Sequence, residues 1–384
     1  MPFEFSTAGR IVFGRGVLAR LGTLAQELGS RAFIVTGKTP RGLERATEQL
    51  AEAKLQTTRW SLTGEPTVDD ARRGAEAARQ VDADLIIGIG GGSVLDAAKA
   101  IAALAANGGD PLDYLEVVGR GRRLERPSIS CIAVPTTAGT GSEVTRNAVL
   151  DVTEDKVKVS LRGPTLMPAV ALVDSTLTHS LPHSVTTSTG FDALTQLIEP
   201  FVSHASTVMT DALCREALPR AGEALPRVCA DGTDVEARDQ MSLVSLFGGL
   251  CLANAKLGAV HGLAGPLGGM YRAPHGALCA ALLPHVMQAN VARLREQQPE
   301  SPSLGRFDEV AQHLTGRLKA TAEDGVAWIR ELGASAGVAP LGALGVVRAD
   351  FEVISDKACR ASSMAGNPVV LSREDLCSIL TRAL

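Results

Sequence analysis

The stretch Gly190–Pro200, GFDALTQLIEP, places Asp192 and Gln196 four residues apart in a segment with helical character. Residues i and i+4 of an α-helix lie on one face, so the two side chains point the same way. Asp is an ordinary metal ligand and its usual companion is His, whereas the amide oxygen of Gln is neutral and binds more weakly. The pair is interpreted either as half of a metal site with an unusual ligand or as a polar helix face without chemistry.

A second segment, residues 258–284, contains His261 and His275, two of the seven histidines. Small residues flank both, which leaves room for another group to approach. A single His in an apolar segment is more often a satisfied core residue, but two of them complement Asp192 and Gln196. Together the four side chains would offer two imidazoles, a carboxylate and an amide oxygen, which suits Fe(II) or Zn(II). Composition alone leaves the metal and the core interpretations open.

A glycine-rich turn lies in IIGIGGGSVLDAAK, residues 86–99, between a predicted strand and a predicted helix. Glycines let the backbone approach a ligand closely, and a helix N-terminus offers free N–H groups to a pyrophosphate. Such turns also serve plain packing, and both interpretations remain open. Asp96 lies three residues into the helix, where it either stabilises the N-terminus or contacts a ligand.

The first predicted strand ends in VTGKTPR, with Gly37 followed by Lys38 and Arg41. An acidic residue here would hydrogen-bond an adenosine ribose and repel a 2′-phosphate. Its absence beside two cations favours NADP(H); the alternative is an exposed turn with solvated charges. A second loop, VPTTAGTGSEVTRNAVL over 134–150, carries several hydroxyls at the end of a buried strand, where open α/β sheets bind ligands.

These residues must be positioned by two different kinds of structure. Apolar runs predict strands at 31–37, 57–62, 83–90, 128–136 and 169–174, with helix-like segments following the first three. Continuous rather than alternating apolar strands indicate a mostly parallel sheet covered on both faces. From about Leu181 the periodicity is helical, so we predict an α/β dinucleotide-binding domain at 1–178 and an all-helical metal and substrate domain at 179–384. The polar stretch 295–306 is predicted to be an exposed loop.

Bulk properties exclude several classes of protein. At 384 residues the chain is longer than a domain with a single hydrophobic core usually is, which predicts two domains. A composition of 45% hydrophobic and 21% charged residues is typical of a soluble globular protein. A net charge of −4 gives no reason to expect nucleic acid or an anionic membrane as a partner. The apolar span 85–106 is interrupted by glycines, Asp96 and Lys99, so it does not predict a membrane helix. Seven scattered cysteines without a CxxC pair, and a start without the apolar run of a signal peptide, predict a cytoplasmic protein.

Four motifs in order, GGGSVLDAAKA, PTTAGTGSEVT, GFDALTQLIEPFVS and VHGLAGPLGGMYRAPHGALCAALLP, resemble the iron-containing (group III) alcohol dehydrogenases over essentially the whole chain. The resemblance implies a dehydroquinate synthase-like architecture, with an active site in the cleft between the two domains, and a homodimer. It implies NADP or NAD as cofactor and Fe²⁺, with Zn²⁺ as the alternative. The implied reaction is hydride transfer between nicotinamide and a small alcohol or aldehyde whose oxygen is polarised by the metal.

Site residues carry over by position in these motifs. The resemblance implies that Gly90, Gly91, Gly92 and Ser93 hold the pyrophosphate, that Asp96 lies near the nicotinamide end, that Thr136, Thr137 and Thr140 line the cofactor, and that Val149 and Lys158 lie beside the ribose. Asp192, His261 and His275 match three of the four metal ligands and are the implied catalytic residues. The fourth position, typically His, is Gln196, so we expect it to be a weak ligand or the neighbour of one, with lowered metal affinity. Gly265 replaces a His of the family often assigned to proton handling, which leaves proton exchange to water or a cofactor hydroxyl.

Three other functions compete with this interpretation. A maleylacetate reductase-like enzyme would work without a metal, and the retained Asp192 disfavours it, although Arg146 could bind an acidic substrate. A lyase related to dehydroquinate synthase would need several cations to grip a phosphate, whereas these motifs are nearly uncharged apart from Arg146, Lys256 and Arg272. A protein that binds the cofactor without catalysis is suggested only by Gln196 and Gly265.

Overall fold

The computed structural model describes residues 2–384, which form two compact units. One unit comprises residues 6–137 and 141–179. The other comprises residues 180–384, the short segment 138–140 and the described N-terminal residues up to Phe5. The sequence-based boundary after residue 178 stays a prediction about independently folding domains.

The first unit is built on a six-stranded parallel sheet with strand order β1-β8-β5-β4-β2-β3. Its strands, with the separate antiparallel hairpin of β6 and β7, are β1 Arg10–Gly14, β2 Arg31–Thr36, β3 Gln56–Ser61, β4 Leu85–Gly90, β5 Ser130–Pro135, β6 Asn147–Val152, β7 Val157–Arg162 and β8 Val170–Asp174. The predicted parallel sheet is confirmed, including all five predicted strands. Neither β1 nor the hairpin was predicted from the sequence.

Helices cover both faces of this sheet. Successive strand residues point to opposite faces, and because both sets of side chains are apolar, each face must be buried. The helices are α1 Leu21–Gln26, α2 Leu43–Glu52, α3 Val68–Gln80, α4 Gly92–Asn107 and α5 Pro111–Tyr114. Ile34 and Ile87 pack with residues of α1 and α2, whereas Phe33 and Ile86 pack with residues of α3 and α4. Both faces are therefore apolar, as continuous rather than alternating hydrophobic strands predict.

The second unit is helical around one hydrophobic core. Its helices are α6 His183–Val202, α7 Val208–Ala230, α8 Val235–Asn254, α9 Ala259–Tyr271, α10 His275–Gln297, α11 Pro302–Thr315, α12 Ala322–Ser335, α13 Phe351–Cys359 and α14 Arg373–Ala383. Every residue of α6 from Gly190 to Val202 is buried, so this helix is surrounded by others, among them α7, α8 and α10. Polar residues in that stretch consequently have no access to bulk water and need partners inside the protein.

The predicted exposed loop at 295–306 is wrong. Helix α10 continues to Gln297 and α11 begins at Pro302, so only residues 298–301 connect them. The Ser301 side chain accepts a hydrogen bond from the backbone N–H of Ser303, and Pro302 occupies the first helical position. Ser followed by Pro is a helix start signal that a purely compositional interpretation overlooks.

Within residues 2–384, no single helix has both the length and the apolar character needed to cross a bilayer. The helices α8 and α9 reach that threshold only when joined, and they are bent by 96° at their connection.

Candidate metal centre and dinucleotide-binding turn

The helical unit brings three of the predicted metal ligands together from three helices. Atoms of Asp192 on α6, His261 on α9 and His275 at the start of α10 lie within 4.8 Å of one another, together with Sγ of Cys279. Oδ1 of Asp192 is 3.5 Å from Nε2 of His261 and 3.8 Å from Nε2 of His275. The two imidazole rings are 5.3 Å apart and tilted by 48°. Two nitrogens and a carboxylate oxygen thus converge on one small volume.

Two buried oxygens in this cluster have no hydrogen-bond partner among the described residues. They are Oδ1 of Asp192, a residue 2% exposed, and Oε1 of Gln196, a residue 3% exposed. Nε2 of His261 lies within ion-pair distance of the Asp192 carboxylate. Buried acceptors without a donor are costly, and a divalent cation accepts electron pairs from both kinds of oxygen. The donor set therefore fits the metal ion that the sequence predicts.

Glu199 positions His261 through Nδ1, the ring nitrogen that does not face Asp192. It lies on α6 seven residues after Asp192, and its Oε2 accepts a hydrogen bond of 2.6 Å from Nδ1 of His261. Its other oxygen accepts one of 2.7 Å from the backbone N–H of Val260. Because a carboxylate only accepts, Nδ1 keeps a proton, so in the neutral ring Nε2 presents its lone pair to the cluster.

The negative charges around His261 favour a positive charge at this position. Burial alone would lower the pKa of His261, but the adjacent carboxylates of Glu199 and Asp192 outweigh it and raise the pKa to about 10. Burial likewise opposes ionisation of Asp192, yet His261, His275 and Gln196 lower its pKa. A positive charge is thus strongly favoured at this position, and a proton competes with a metal ion for it.

One side of the cluster is less enclosed than the other. The side chain of His275 is 34% exposed, whereas that of His261 is 7% exposed. Gly265, one helical turn after His261, has no atom within 4 Å of the position that a Cβ would occupy. The position of the missing proton-handling His is therefore open space.

In the α/β unit, the glycine-rich turn serves two purposes at different residues. A Cβ on Gly88 would lie 2.8 Å from Ala98, and one on Gly90 would lie 2.6 Å from Val94, so these glycines let α4 pack tightly on β4. Gly91 is the N-cap of α4 and makes no side-chain cap. The N-terminus of α4, at Gly92 and Ser93, therefore keeps the free N–H groups that suit a phosphate.

Asp96 and Lys99 anchor the loop that follows β5. The carboxylate of Asp96 accepts hydrogen bonds from Oγ of Ser142 at 2.5 Å and from the backbone N–H of Val149 at 3.0 Å. Lys99, 1% exposed, pairs with Asp96 and donates to the carbonyl oxygens of Ser142 and Asn147. These contacts give Asp96 a positioning role, and its predicted contact with the cofactor stays a prediction.

The other predicted cofactor residues fall into four places. Oγ of Ser93 donates to Glu65 at 3.1 Å, and Nζ of Lys158 lies 3.5 Å from the same carboxylate. Thr136 is buried beside Gly90, and Thr137 lies against Gly91. Gly37 and the exposed Lys38 follow β2. Thr140 belongs to the helical unit, unlike Thr136 and Thr137.

Sequence reasoning missed four residues of these sites: Glu65, Lys99, Glu199 and Cys279. Helical spacing could have found two of them, since Glu199 follows Asp192 by seven residues and Cys279 follows His275 by four. Glu65 carries no such local signal, because its partner Ser93 lies far away along the chain. Lys99 follows Asp96 by three residues, but its contacts with Ser142 and Asn147 are long-range and carry no local signal.

Comparisons with known proteins agree with the geometry. The family model for iron-containing alcohol dehydrogenase matches residues 8–175, and the C-terminal model of the Fe-containing alcohol dehydrogenase family matches residues 186–384. Alcohol dehydrogenase 4 of Saccharomyces cerevisiae is 34% identical over 377 residues, covering 97% of this chain and 96% of the relative. The NAD-dependent methanol dehydrogenase of Bacillus methanolicus is 32% identical over 385 residues, covering 97% of each chain.

Among solved structures, that of a 1,3-propanediol oxidoreductase is similar, with a TM-score of 0.92 and 31% identity over 100% of both chains. The agreement extends from the sheet to the last helix. This chain therefore belongs to the iron-containing alcohol dehydrogenase family.

Proposed function

We propose that this protein is a metal-dependent alcohol dehydrogenase that uses NAD(H) to interconvert a small alcohol and its aldehyde. The proposal depends on one observation: the ligand atoms of Asp192, His261 and His275 converge, and Oδ1 of Asp192 has no hydrogen-bond donor. The relatives named above act on alcohols, methanol and 1,3-propanediol, which supports a small primary alcohol as substrate class.

The bound cation, Fe²⁺ in this proposal, would polarise the substrate oxygen and stabilise the charge of an alkoxide. Asp192 supplies the negative charge of the ligand set, and His261 and His275 supply neutral nitrogen. Glu199 fixes the orientation and tautomer of His261 through its 2.6 Å hydrogen bond. The hydride chemistry belongs to the nicotinamide, so the protein contributes orientation and electrostatic stabilisation.

Proton exchange is assigned to water. Position 265 carries no side chain, and an added Cβ there would meet no atom within 4 Å. The His275 side chain is 34% exposed, which supports solvent access to the cluster. Water there would take up the proton released when an alcohol is oxidised.

The turn after β2 supports acceptance of NADPH beside NADH. Gly37 has no carboxylate to repel a 2′-phosphate, and Lys38 is exposed next to it. A Cβ on Gly37 would approach only Val94, at 3.9 Å, so the space for an additional phosphate is open on this side. The similarity to the NAD-dependent methanol dehydrogenase of Bacillus methanolicus supports NADH as the main cofactor.

The test is a panel of primary alcohols and aldehydes, assayed by NADH and NADPH absorbance, on protein with measured metal content. We expect turnover that chelation removes and that Fe²⁺ restores. Asp192→Asn, which removes one charge at constant volume, should abolish turnover while NADH still quenches or enhances fluorescence on binding. Full turnover in metal-free protein, or in Asp192→Asn, would contradict the proposal.

We also propose a cytoplasmic homodimer. All seven cysteines are free thiols, which supports a reducing compartment. β1 is an edge strand with one side unpaired within the sheet, and Phe13 in it is 37% exposed, which supports pairing with another chain. Light scattering after gel filtration gives the mass, and a monomer at micromolar concentration would contradict the dimer.

A further inference from the structure

Cys279 lies among the predicted metal ligands although no function has been assigned to it above. It follows His275 by one helical turn of α10, so its side chain lies on the same face. Sγ is 3.6 Å from Nε2 of His275, and the residue is completely buried. Its sulfur also lies within 4.8 Å of the ligand atoms of Asp192 and His261.

The distances match the edges of a four-ligand polyhedron. With metal–nitrogen bonds near 2.1 Å and metal–sulfur bonds near 2.3 Å, a tetrahedron separates nitrogen and oxygen ligands by about 3.4 Å and sulfur from nitrogen by about 3.6 Å. The observed separations are 3.5 and 3.8 Å from Asp192 to the two imidazoles and 3.6 Å from Cys279 to His275. These three separations match ligand spacing, and all four atoms lie within 4.8 Å of one another.

Charge and hydrogen bonding favour the same assignment. Gln196 brings a neutral oxygen to the cluster, so Asp192 is the one anion among the four residues that the sequence predicted. A thiolate at Cys279 would add a second anion facing a dication. The unpartnered oxygens of Asp192 and Gln196 belong to residues more than nine-tenths buried, and Asp192 lies within 4.8 Å of this sulfur, so an electron-pair acceptor bound here would satisfy a buried oxygen.

We propose that Cys279 Sγ is a ligand of the metal ion, which gives an Asp–His–His–Cys donor set with the Gln196 oxygen beside it. On binding, the thiol proton leaves to solvent and a sulfur–metal bond forms, with no change of oxidation state. A thiolate ligand raises affinity for thiophilic ions such as Zn²⁺ and Co²⁺ relative to an all-oxygen-and-nitrogen set. This inference rests on the metal site of the proposed function and adds a residue to it.

The test is cobalt reconstitution of the metal-stripped full-length protein, read by absorbance rather than turnover. We expect a thiolate-to-cobalt charge-transfer band in the near ultraviolet that is lost in Cys279→Ser and kept in Cys359→Ser, which removes an exposed thiol elsewhere. Bound cobalt without this band in the wild type, or an undiminished band in Cys279→Ser, would overturn the inference alone. Failure of the wild type to bind cobalt would overturn the metal site as a whole.

A second measurement needs no variant. Zinc-edge X-ray absorption of the wild-type protein loaded with one equivalent of Zn²⁺ should show one sulfur neighbour at about 2.3 Å. A shell of nitrogen and oxygen alone at about 2.0–2.1 Å would contradict the inference.

Discussion

Oε2 of Glu199 lies 2.6 Å from Nδ1 of His261, and the two residues occupy different helices, α6 and α9. This contact sets which imidazole nitrogen faces the metal ligands. Since Glu199 also accepts from the backbone at Val260, its carboxylate is held in place on both oxygens.

Replacing Glu199 by Gln should therefore weaken metal binding without removing a ligand. An amide NH₂ facing Nδ1 would favour the tautomer that protonates Nε2, which cannot then bind a cation. We expect metal affinity to fall by about 10- to 100-fold, the usual effect of losing such a supporting carboxylate. Competition with a chromophoric chelator measures it, with Glu236→Gln on the surface as control. Unchanged affinity in Glu199→Gln would show that the contact does not orient His261.

Restoring an imidazole at position 196 should tighten the metal site. Gly248 on α8 lies beside Gln196. A Cβ on Gly248 would lie 3.5 Å from the Gln196 amide oxygen, so the absence of a side chain at position 248 leaves room next to residue 196. We expect Gln196→His to raise metal affinity by roughly tenfold or more, the scale on which single residues around a metal act. Metal retained after dialysis against chelator is the readout, and Gln196→Asn, which shortens the same amide, should retain less than wild type. Equal retention in all three proteins would place the Gln196 oxygen outside the coordination.

Placing an acid after β2 should change cofactor preference. Gly37→Asp puts a carboxylate where it would accept from an adenosine ribose and repel a 2′-phosphate. We expect the ratio of kcat/KM for NADPH to that for NADH to fall on the order of tenfold or more, from charge repulsion at a partly exposed site. Gly37→Ala, which adds volume without charge, should leave the ratio near the wild-type value. If both variants change it equally, volume rather than charge is responsible.

Glu143 should make stability depend on pH. It is buried in the turn after β5, and burial raises its pKa from 4.5 to about 7, an effect that the charge of Lys99 only partly offsets. A raised acid pKa contributes stability that is present below the unfolded value and lost as pH rises through the folded value. A difference of this size corresponds to about 3 kcal/mol of unfolding free energy.

Glu143→Gln keeps the shape of the side chain and cannot ionise. Between about pH 5 and about pH 8, the wild type should lose up to about 3 kcal/mol of unfolding free energy relative to this variant. Urea unfolding at several pH values measures the difference, and Glu48→Gln on the exposed face of α2 should track the wild type. Parallel pH profiles for wild type and Glu143→Gln would show that Glu143 is ionised in the folded protein at neutral pH.

Local patterns were sufficient for most of the secondary structure. The helix-like segment predicted after the strand at 57–62 is α3, where Thr67 and Asp70 form a capping box and the apolar residues follow a helical period. The continuous apolar run of β4 likewise predicted a strand buried on both faces. Where such a signal was set aside, as at Ser301 and Pro302, the prediction was wrong.

The roles of individual glycines and charged residues could not be predicted from local sequence patterns. Gly88 and Gly90 lie in the turn that was predicted to approach a ligand, and only the structure shows that both also leave room for α4. For Asp96 the sequence offered helix stabilisation or a ligand contact, and only the structure shows that Asp96 and Lys99 hold the loop near Ser142 and the start of the hairpin. These contacts join residues more than 40 positions apart.

The sequence by itself determined the class of fold, the family and three candidate metal ligands, because periodicity, helix caps and motif order are short-range properties. Only the tertiary structure decided that Glu199 holds His261 and that Cys279 stands beside His275 at ligand spacing. Convergence of side chains from α6, α9 and α10 depends on how the helices pack, since packing is a property of the whole core rather than of any one segment.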